Sequence, residues 1–254
     1  KRIFVTDMFM AMKKSFFIFF LLIGFSVFSW GQKTISFFAT DSLEVTADFY
    51  ETFEESHKYM LMFHQAEYSR GEYSQIAARI IKLDMNCVAV DLRYGNEVNF
   101  INDETAMRAK QTNKPSFMID CENDIIGAIN YIYSIDSTAK IFLMGSSFSA
   151  SLCLKIAKDR DDIQAVIAYS PGEFFGELNI GRYITGLTTP TYIGCPRSEY
   201  SYVSLLAAGI EAPKTVVFQP ENADGQHGAK TLWWESDTCE EFWLSLLFFL
   251  KDFK

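Results

Sequence analysis

The stretch "IFLMGSSFSASL", residues 141–152, places a serine where an apolar strand would turn sharply into a helix. Gly145 lies two positions before Ser147, and the small Ser149 lies two positions after it. This spacing is close to the G-x-S-x-G nucleophile elbow, in which small flanking residues let strand and helix approach closely. A serine hydroxyl exposed on such a turn is suited to nucleophilic attack. The alternative is a serine-rich turn that only caps the helix, because serine is a favoured N-cap residue.

The chain contains three histidines, so few bases are available to deprotonate Ser147. His227 lies in the polar loop "ENADGQHGAK", between the last predicted strand and the final helix. An imidazole can take the hydroxyl proton, and in folds with a nucleophile elbow this base comes last in the chain. A loop histidine that is only solvated is the alternative. We expect His64 to pack beneath the loop after its strand and His57 to lie at the surface.

A carboxylate that orients the imidazole should follow a strand between the serine and the histidine. Glu199, the first carboxylate after the strand "TYIGC", is the preferred candidate, and Glu173, one strand earlier, is its competitor. Asp91 ends the strand "CVAVD", where a carboxylate more often ties a loop.

Backbone N–H groups would have to bind the oxyanion formed by attack on a carbonyl. One donor is the residue after the nucleophile, Phe148, and the other comes from the loop after the third strand, "FHQAEYSRGEY". Ala66 is the second donor by position, and its neighbour Gln65 stays an open alternative. This chemistry requires no metal or organic cofactor. The five cysteines show no C-x-x-C pair and no nearby histidine, so no zinc spacing is present.

The elements that must position these residues alternate between strand and helix. Short apolar runs predict strands at residues 59–64, 87–93, 141–145, 164–171, 189–195 and 214–220. Helical spacing predicts helices at residues 72–85, 120–136, 149–159, 201–210 and 231–253, with a loop and one short helix at 96–117. Residues 34–40 and 43–50 predict an antiparallel hairpin at the entry edge. The fold class is therefore α/β, with a mostly parallel sheet covered by helices on both faces.

The first 31 residues have the layout of a leader. Lys13 and Lys14 precede the phenylalanine-rich run 16–30, and Ser29 and Gly31 fit a cleavage site. We expect residues 1–31 to be upstream sequence plus a secretory signal peptide, with residues 32–254 as a single domain. A retained anchor is the alternative, although the run is short beside the roughly 20 residues of a membrane-spanning helix. The expected location is periplasmic or extracellular, in a bacterial envelope.

Composition limits the partners. The formal net charge is -9 over 254 residues, and it becomes -12 without residues 1–31, so nucleic acid is excluded as an expected partner. An odd number of cysteines leaves at least one unpaired, and Cys87, Cys153 and Cys195 lie in or beside apolar runs typical of buried thiols. Whether any disulfide forms is left open. In the final helix, a buried face is favoured over a membrane anchor; it comprises Trp243, Leu246, Phe249 and Leu250.

The motifs "FHQAEYSRGEY", "NCVAVDLRYG", "GSSFSAS" and "DGQHG" follow one another in the order of a known family. Over residues 34–254 the chain resembles the α/β-hydrolase superfamily, nearest to dienelactone-hydrolase-like exported esterases. It departs from the pattern at Ser149, where glycine is usual, at Gln65, where many members have glycine after the histidine, and in its glutamate for aspartate. The connection at 172–189 is too short for a large cap domain.

The resemblance implies a serine hydrolase that cleaves a small carboxylic ester through an acyl-enzyme on Ser147. Its site would comprise Ser147, His227 and Glu199, with the N–H groups of Phe148 and Ala66 as oxyanion donors. The partner would be a small-molecule ester, without stable membrane insertion once the signal is cleaved. Two alternatives are an exported serine peptidase or amidase and a non-catalytic binding protein of the same fold. Four aromatic residues would line an acyl pocket or belong to the core: Tyr94, Phe174, Phe175 and Tyr183.

Overall fold

The computed structural model describes residues 32–52 and 55–253, and the predicted leader lies outside this range. An eight-stranded sheet runs through these residues in the order β1-β2-β4-β3-β7-β8-β9-β10, and β5 and β6 form a separate hairpin. The strands are β1 (Gln32–Phe38), β2 (Glu44–Tyr50), β3 (Lys58–Phe63), β4 (Asn86–Val90), β5 (Glu97–Val98), β6 (Ile101–Asn102), β7 (Lys140–Ser146), β8 (Ile163–Tyr169), β9 (Thr191–Gly194) and β10 (Thr215–Phe218). The β1–β2 and β2–β4 pairs are antiparallel, and the pairs from β4 to β10 are parallel.

Helices cover both faces of this sheet. They are α1 (Ser74–Ile80), α2 (Glu104–Gln111), α3 (Glu122–Ile135), α4 (Phe148–Lys158), α5 (Ile180–Tyr183), α6 (Tyr200–Leu206) and α7 (Cys239–Leu250). One core cluster joins α3 and α4 to the sheet and another joins α1 and α7 to it. The strand side chains alternate between the two clusters, as Leu61 and Met62 of β3 illustrate. The predicted α/β class, the mostly parallel sheet and the N-terminal hairpin are confirmed.

Two predicted elements differ from the structure. Residues 96–117, predicted as a loop with one short helix, contain the β5–β6 hairpin before α2. Its two turn residues, Asn99 and Phe100, both have positive φ, the backbone of a tight two-residue hairpin turn. Hydrophobic periodicity does not reveal such a short hairpin.

The final helix, predicted over residues 231–253, begins only at Cys239. The Leu232 carbonyl accepts the Trp243 indole N–H at 2.9 Å, so it serves a tertiary contact instead of a helical one. Trp233 then has an extended backbone, with φ -71° and ψ 145°. The predicted buried face of the helix is confirmed, because Trp243, Leu246, Phe249 and Leu250 are all buried.

The five cysteines are all unpaired and buried. Within the described ranges, no helix has the length and apolar character needed to cross a membrane. The parallel strands β3, β7, β8, β9 and β10 end at one edge of the sheet, and the loops that follow them carry the residues singled out above.

Candidate active site

Ser147 lies on a strained turn between β7 and α4. Its φ is 59° and its ψ is -122°, a conformation that is uncommon for a residue with a side chain. The turn requires glycine two residues earlier, because a Cβ at Gly145 would lie 2.5 Å from the Ala150 Cα. The Ser147 N–H donates to the Tyr169 carbonyl of β8 at 2.8 Å and so fixes the turn to the sheet. This is the geometry of a nucleophile elbow.

Ser149, in the place of the usual second glycine, stabilises this turn. Its Oγ accepts the Ser146 N–H at 2.9 Å and donates to the Phe63 carbonyl at 2.7 Å. The hydroxyl is fully buried and connects the elbow to the end of β3. Serine at this position therefore makes two hydrogen bonds that glycine could not make.

The structure brings Ser147, His227 and Glu199 together although they are far apart in the chain. The Ser147 hydroxyl lies 2.8 Å from His227 Nε2, and His227 Nδ1 lies 2.6 Å from Glu199 Oε1. Since a carboxylate only accepts hydrogen bonds, Nδ1 carries the imidazole proton and Nε2 is free to accept from the serine. The His227 side chain is 42% exposed, so this relay opens directly to solvent.

The loop that carries Glu199 is tied to the loop that carries His227. Asp224 accepts the Ser198 N–H at 2.8 Å and the Ser198 hydroxyl at 2.9 Å. Glu173, the competing acid, has a different place: its carboxylate accepts the Ile180 N–H at 2.5 Å and the Gly181 N–H at 2.9 Å. Of the two candidates, only Glu199 contacts the histidine.

The loop after β3, which we call the oxyanion loop, carries the two candidate donors Gln65 and Ala66. Only one of their backbone N–H groups is free. The Gln65 N–H donates to Glu72 Oε2 at 2.8 Å and is therefore engaged. Among the residues that the structure describes, the backbone N–H groups of Ala66 and Phe148 have no hydrogen-bond acceptor. These two N–H groups are available to an oxyanion, whereas that of Gln65 is not.

Glu72 was not found by the sequence reasoning. It is fully buried, and its Oε1 accepts the Ser146 hydroxyl at 2.7 Å. Burial raises the pKa of this carboxyl. The signal in the sequence was its position: Glu72, Ile76 and Ile80 are spaced four residues apart, so an acid lies on the apolar stripe of the predicted helix.

His64 is buried beneath the oxyanion loop and His57 is exposed, as predicted. The Leu92 N–H donates to His64 Nε2 at 2.9 Å, so Nδ1 donates to the Gln65 carbonyl at 2.8 Å. Burial disfavours the charged imidazole, but the neighbouring Asp103 outweighs this and raises the pKa of His64.

Within the described residues, one group of potential metal ligands occurs, formed by His64, Asp91 and Asp103, with ligand atoms within 4.8 Å of one another. The Arg70 guanidinium donates to Asp91 at 2.5 Å and already supplies a positive charge there. Asp91 also accepts the backbone N–H groups of Arg70 and Glu104, at 2.8 and 2.9 Å. Asp91 therefore connects loops, as predicted. The three side chains, together with Arg70, form a buried network of ion pairs and hydrogen bonds.

The four aromatic residues considered for an acyl pocket separate in the structure. Tyr94 packs edge-on against Phe148, and Phe174 packs against Phe175. Tyr183 donates to Asp159, which follows the last residue of α4. Ser147 and Asp159 flank the same 11-residue helix, about 18 Å apart, so this contact places the Tyr183 hydroxyl far from the nucleophile.

Several solved structures have a similar fold over most of this chain. An esterase from Pyrococcus furiosus superposes with a TM-score of 0.67 at 16% identity, covering 88% of this chain and 93% of that one. A dienelactone hydrolase from Anabaena variabilis gives 0.64 at 12% identity, with 86% and 96% covered. The α/β hydrolase GrgF from Penicillium sp. gives 0.65 at 12% identity, with 87% and 98% covered. No protein-family model and no curated protein sequence matches the chain. The described chain thus has the α/β-hydrolase fold.

Proposed function

We propose that the protein is a serine hydrolase that cleaves small carboxylic esters through an acyl-enzyme on Ser147. One observation carries the proposal: the continuous relay from the Ser147 hydroxyl through His227 to Glu199, at 2.8 and 2.6 Å, on a strained elbow. Structural neighbours that are themselves esterases or hydrolases support the same class of chemistry.

In the proposed mechanism, His227 Nε2 takes the Ser147 proton as the oxygen attacks the ester carbonyl. Glu199 holds the imidazole in the required tautomer and stabilises the imidazolium. The oxyanion accepts hydrogen bonds from the Phe148 and Ala66 N–H groups. The protonated His227 then gives its proton to the leaving alcohol, and water, deprotonated by the same imidazole, releases the acid and restores the serine.

The half-exposed histidine and the short connection between β8 and β9 favour an uncapped site. The 21 residues at 170–190 contain only the four-residue helix α5. This leaves room for an ester whose alcohol portion stays in solvent. We also propose, on the sequence of residues 1–31, that the protein is exported into the periplasm or beyond the cell.

The test is turnover of p-nitrophenyl esters with acyl chains from two to twelve carbons. We expect Ser147→Ala to abolish turnover with its fold intact, by a factor of at least about 10³, because the nucleophile is lost. Ser201→Ala, which changes an exposed serine on α6, is the matched control and should retain full activity.

The same experiment separates the alternatives. Turnover of amides at rates comparable to esters would indicate a peptidase or amidase. Equal inertness of the wild-type protein and Ser147→Ala, together with no labelling by a fluorophosphonate, would contradict the proposal and favour a binding protein.

A further inference from the structure

Three loops that meet at the proposed active site converge on one buried carboxylate. Glu72 Oε2 accepts the Gln65 N–H of the oxyanion loop at 2.8 Å, and Oε1 accepts the Ser146 hydroxyl of the elbow at 2.7 Å. The Ser146 Oγ in turn accepts the Ala229 N–H at 2.8 Å, two residues beyond His227. One acid therefore connects the oxyanion loop, the nucleophile loop and the histidine loop.

We propose that Glu72 is a positioning residue, which holds these three loops in the relative positions that acyl transfer requires. The inference rests on the proposed function. Glu72 does not touch the reacting atoms: its hydrogen bonds go to the residue before Ser147 and to the residue before Ala66. A displacement of about 1 Å between nucleophile and oxyanion donors is sufficient to slow a reaction by about 10²-fold.

Both oxygen atoms of the Glu72 side chain accept a hydrogen bond, one from Gln65 and one from Ser146. The Ser146 Oγ already accepts from Ala229, and Glu72 is the one acceptor for its hydrogen among the described residues. The Gln65 N–H likewise points at Glu72. No lysine, arginine or histidine donates to this side chain in the described part of the chain, so the acid is buried without a direct ionic partner. For stability alone, such an unpaired acid is unfavourable.

The conservative substitution Glu72→Gln distinguishes an effect on the positions of the three loops from an effect on folding stability. The glutamine carbonyl still accepts the Gln65 N–H, but its amide group faces the Ser146 hydroxyl, whose hydrogen loses its acceptor. We expect kcat for p-nitrophenyl esters to fall about 10- to 100-fold with KM within about twofold, because transition-state geometry is lost rather than ground-state binding. The Tm should not fall, since the variant removes a buried acid that has no ionic partner.

The matched control is Tyr73→Phe, the adjacent buried residue. Its hydroxyl donates to the Phe63 carbonyl at 2.7 Å, which also accepts from Ser149, and touches neither Gln65 nor Ser146. This variant should lower the Tm and leave kcat unchanged. Ser146→Ala should lower kcat by a factor similar to that of Glu72→Gln, and the double variant should add little, because both break the same connection.

The rate of Ser147 labelling by a fluorophosphonate probe gives a second readout that does not depend on the ester. Slower labelling of Glu72→Gln than of the wild-type protein is the expected result. Wild-type rates of labelling and turnover in Glu72→Gln, or losses that parallel a fall in Tm, would overturn the positioning role while leaving the serine hydrolase intact. An unlabelled wild-type protein would overturn the proposed function, and this inference with it.

Discussion

Ser149, two residues after the nucleophile, shows how a short polar side chain can replace a glycine. Ser149 occupies the usual glycine position of the elbow, and its hydroxyl is needed twice, as an acceptor for Ser146 and as a donor to Phe63. From the sequence, Ser149 was a departure that weakened the match to the elbow. The structure gives it a stabilising role.

We therefore expect Ser149→Ala to lower the free energy of unfolding by about 1–3 kcal/mol, the usual result of leaving a buried N–H without an acceptor. Urea denaturation followed by fluorescence measures this change. Ser201→Ala, at an exposed position, serves as the comparison and should be neutral. Equal stability of the two variants would mean that the Ser149 hydrogen bonds contribute nothing net.

At the scale of elements, the loop after β10 must pass very close to the elbow. Gly228 has φ 77°, and a Cβ there would lie 2.5 Å from Ser146 Oγ and 2.8 Å from Gln65 Oε1. Its N–H donates to Ser170 Oγ after β8 at 3.0 Å. This glycine lets the histidine loop approach both the elbow and the oxyanion loop.

Gly228→Ala should consequently lower kcat by about 100-fold, because the added methyl group displaces the adjacent His227. Gly176→Ala provides a matched control: Gly176 also has positive φ, 62°, but a Cβ there meets no atom within 4 Å. Both variants carry backbone strain, and only the first carries the collision. Similar ester turnover by the two proteins would contradict this explanation.

The regular elements were predictable because their apolar residues follow clear periods. Strands such as β7 and β8 and helices such as α3 and α4 lie within a few residues of the predicted ranges. The β5–β6 hairpin and the late start of α7 were not, because a positive-φ turn and a tertiary bond to Leu232 decide them. In the site, chain order led to Ser147, His227 and Glu199. Glu72 was missed because its partner Ser146 lies 74 residues away in the chain.

At the scale of the whole molecule, all five cysteines are buried and unpaired. Burial raises the pKa of the Cys195 thiol to about 12 and that of Cys87 well above its ordinary value, which suppresses the reactive thiolate. The fold therefore keeps all five thiols away from solvent by packing.

We expect Ellman's reagent to detect essentially no thiol in the native protein and all five in denaturant without reductant. The Tm should also be insensitive to added dithiothreitol, since no disulfide contributes to it. A rapidly reacting thiol in the native state would contradict the burial. Fewer than five thiols in denaturant would reveal a disulfide.

The adjacent hydroxyls of Ser146 and Ser147 serve opposite sides of the turn, one towards buried Glu72 and the other towards His227. Side chains alternate along a strand, so a slip of β7 by one residue against β3 would exchange the two hydroxyls. The Ser149 bond to Phe63 lies where Phe63 pairs with Gly145, at the carboxyl end of this strand pair. A slipped register would also remove the Ser149 bond to Phe63, so the alignment of β7 with β3 sets which of the two hydroxyls faces His227.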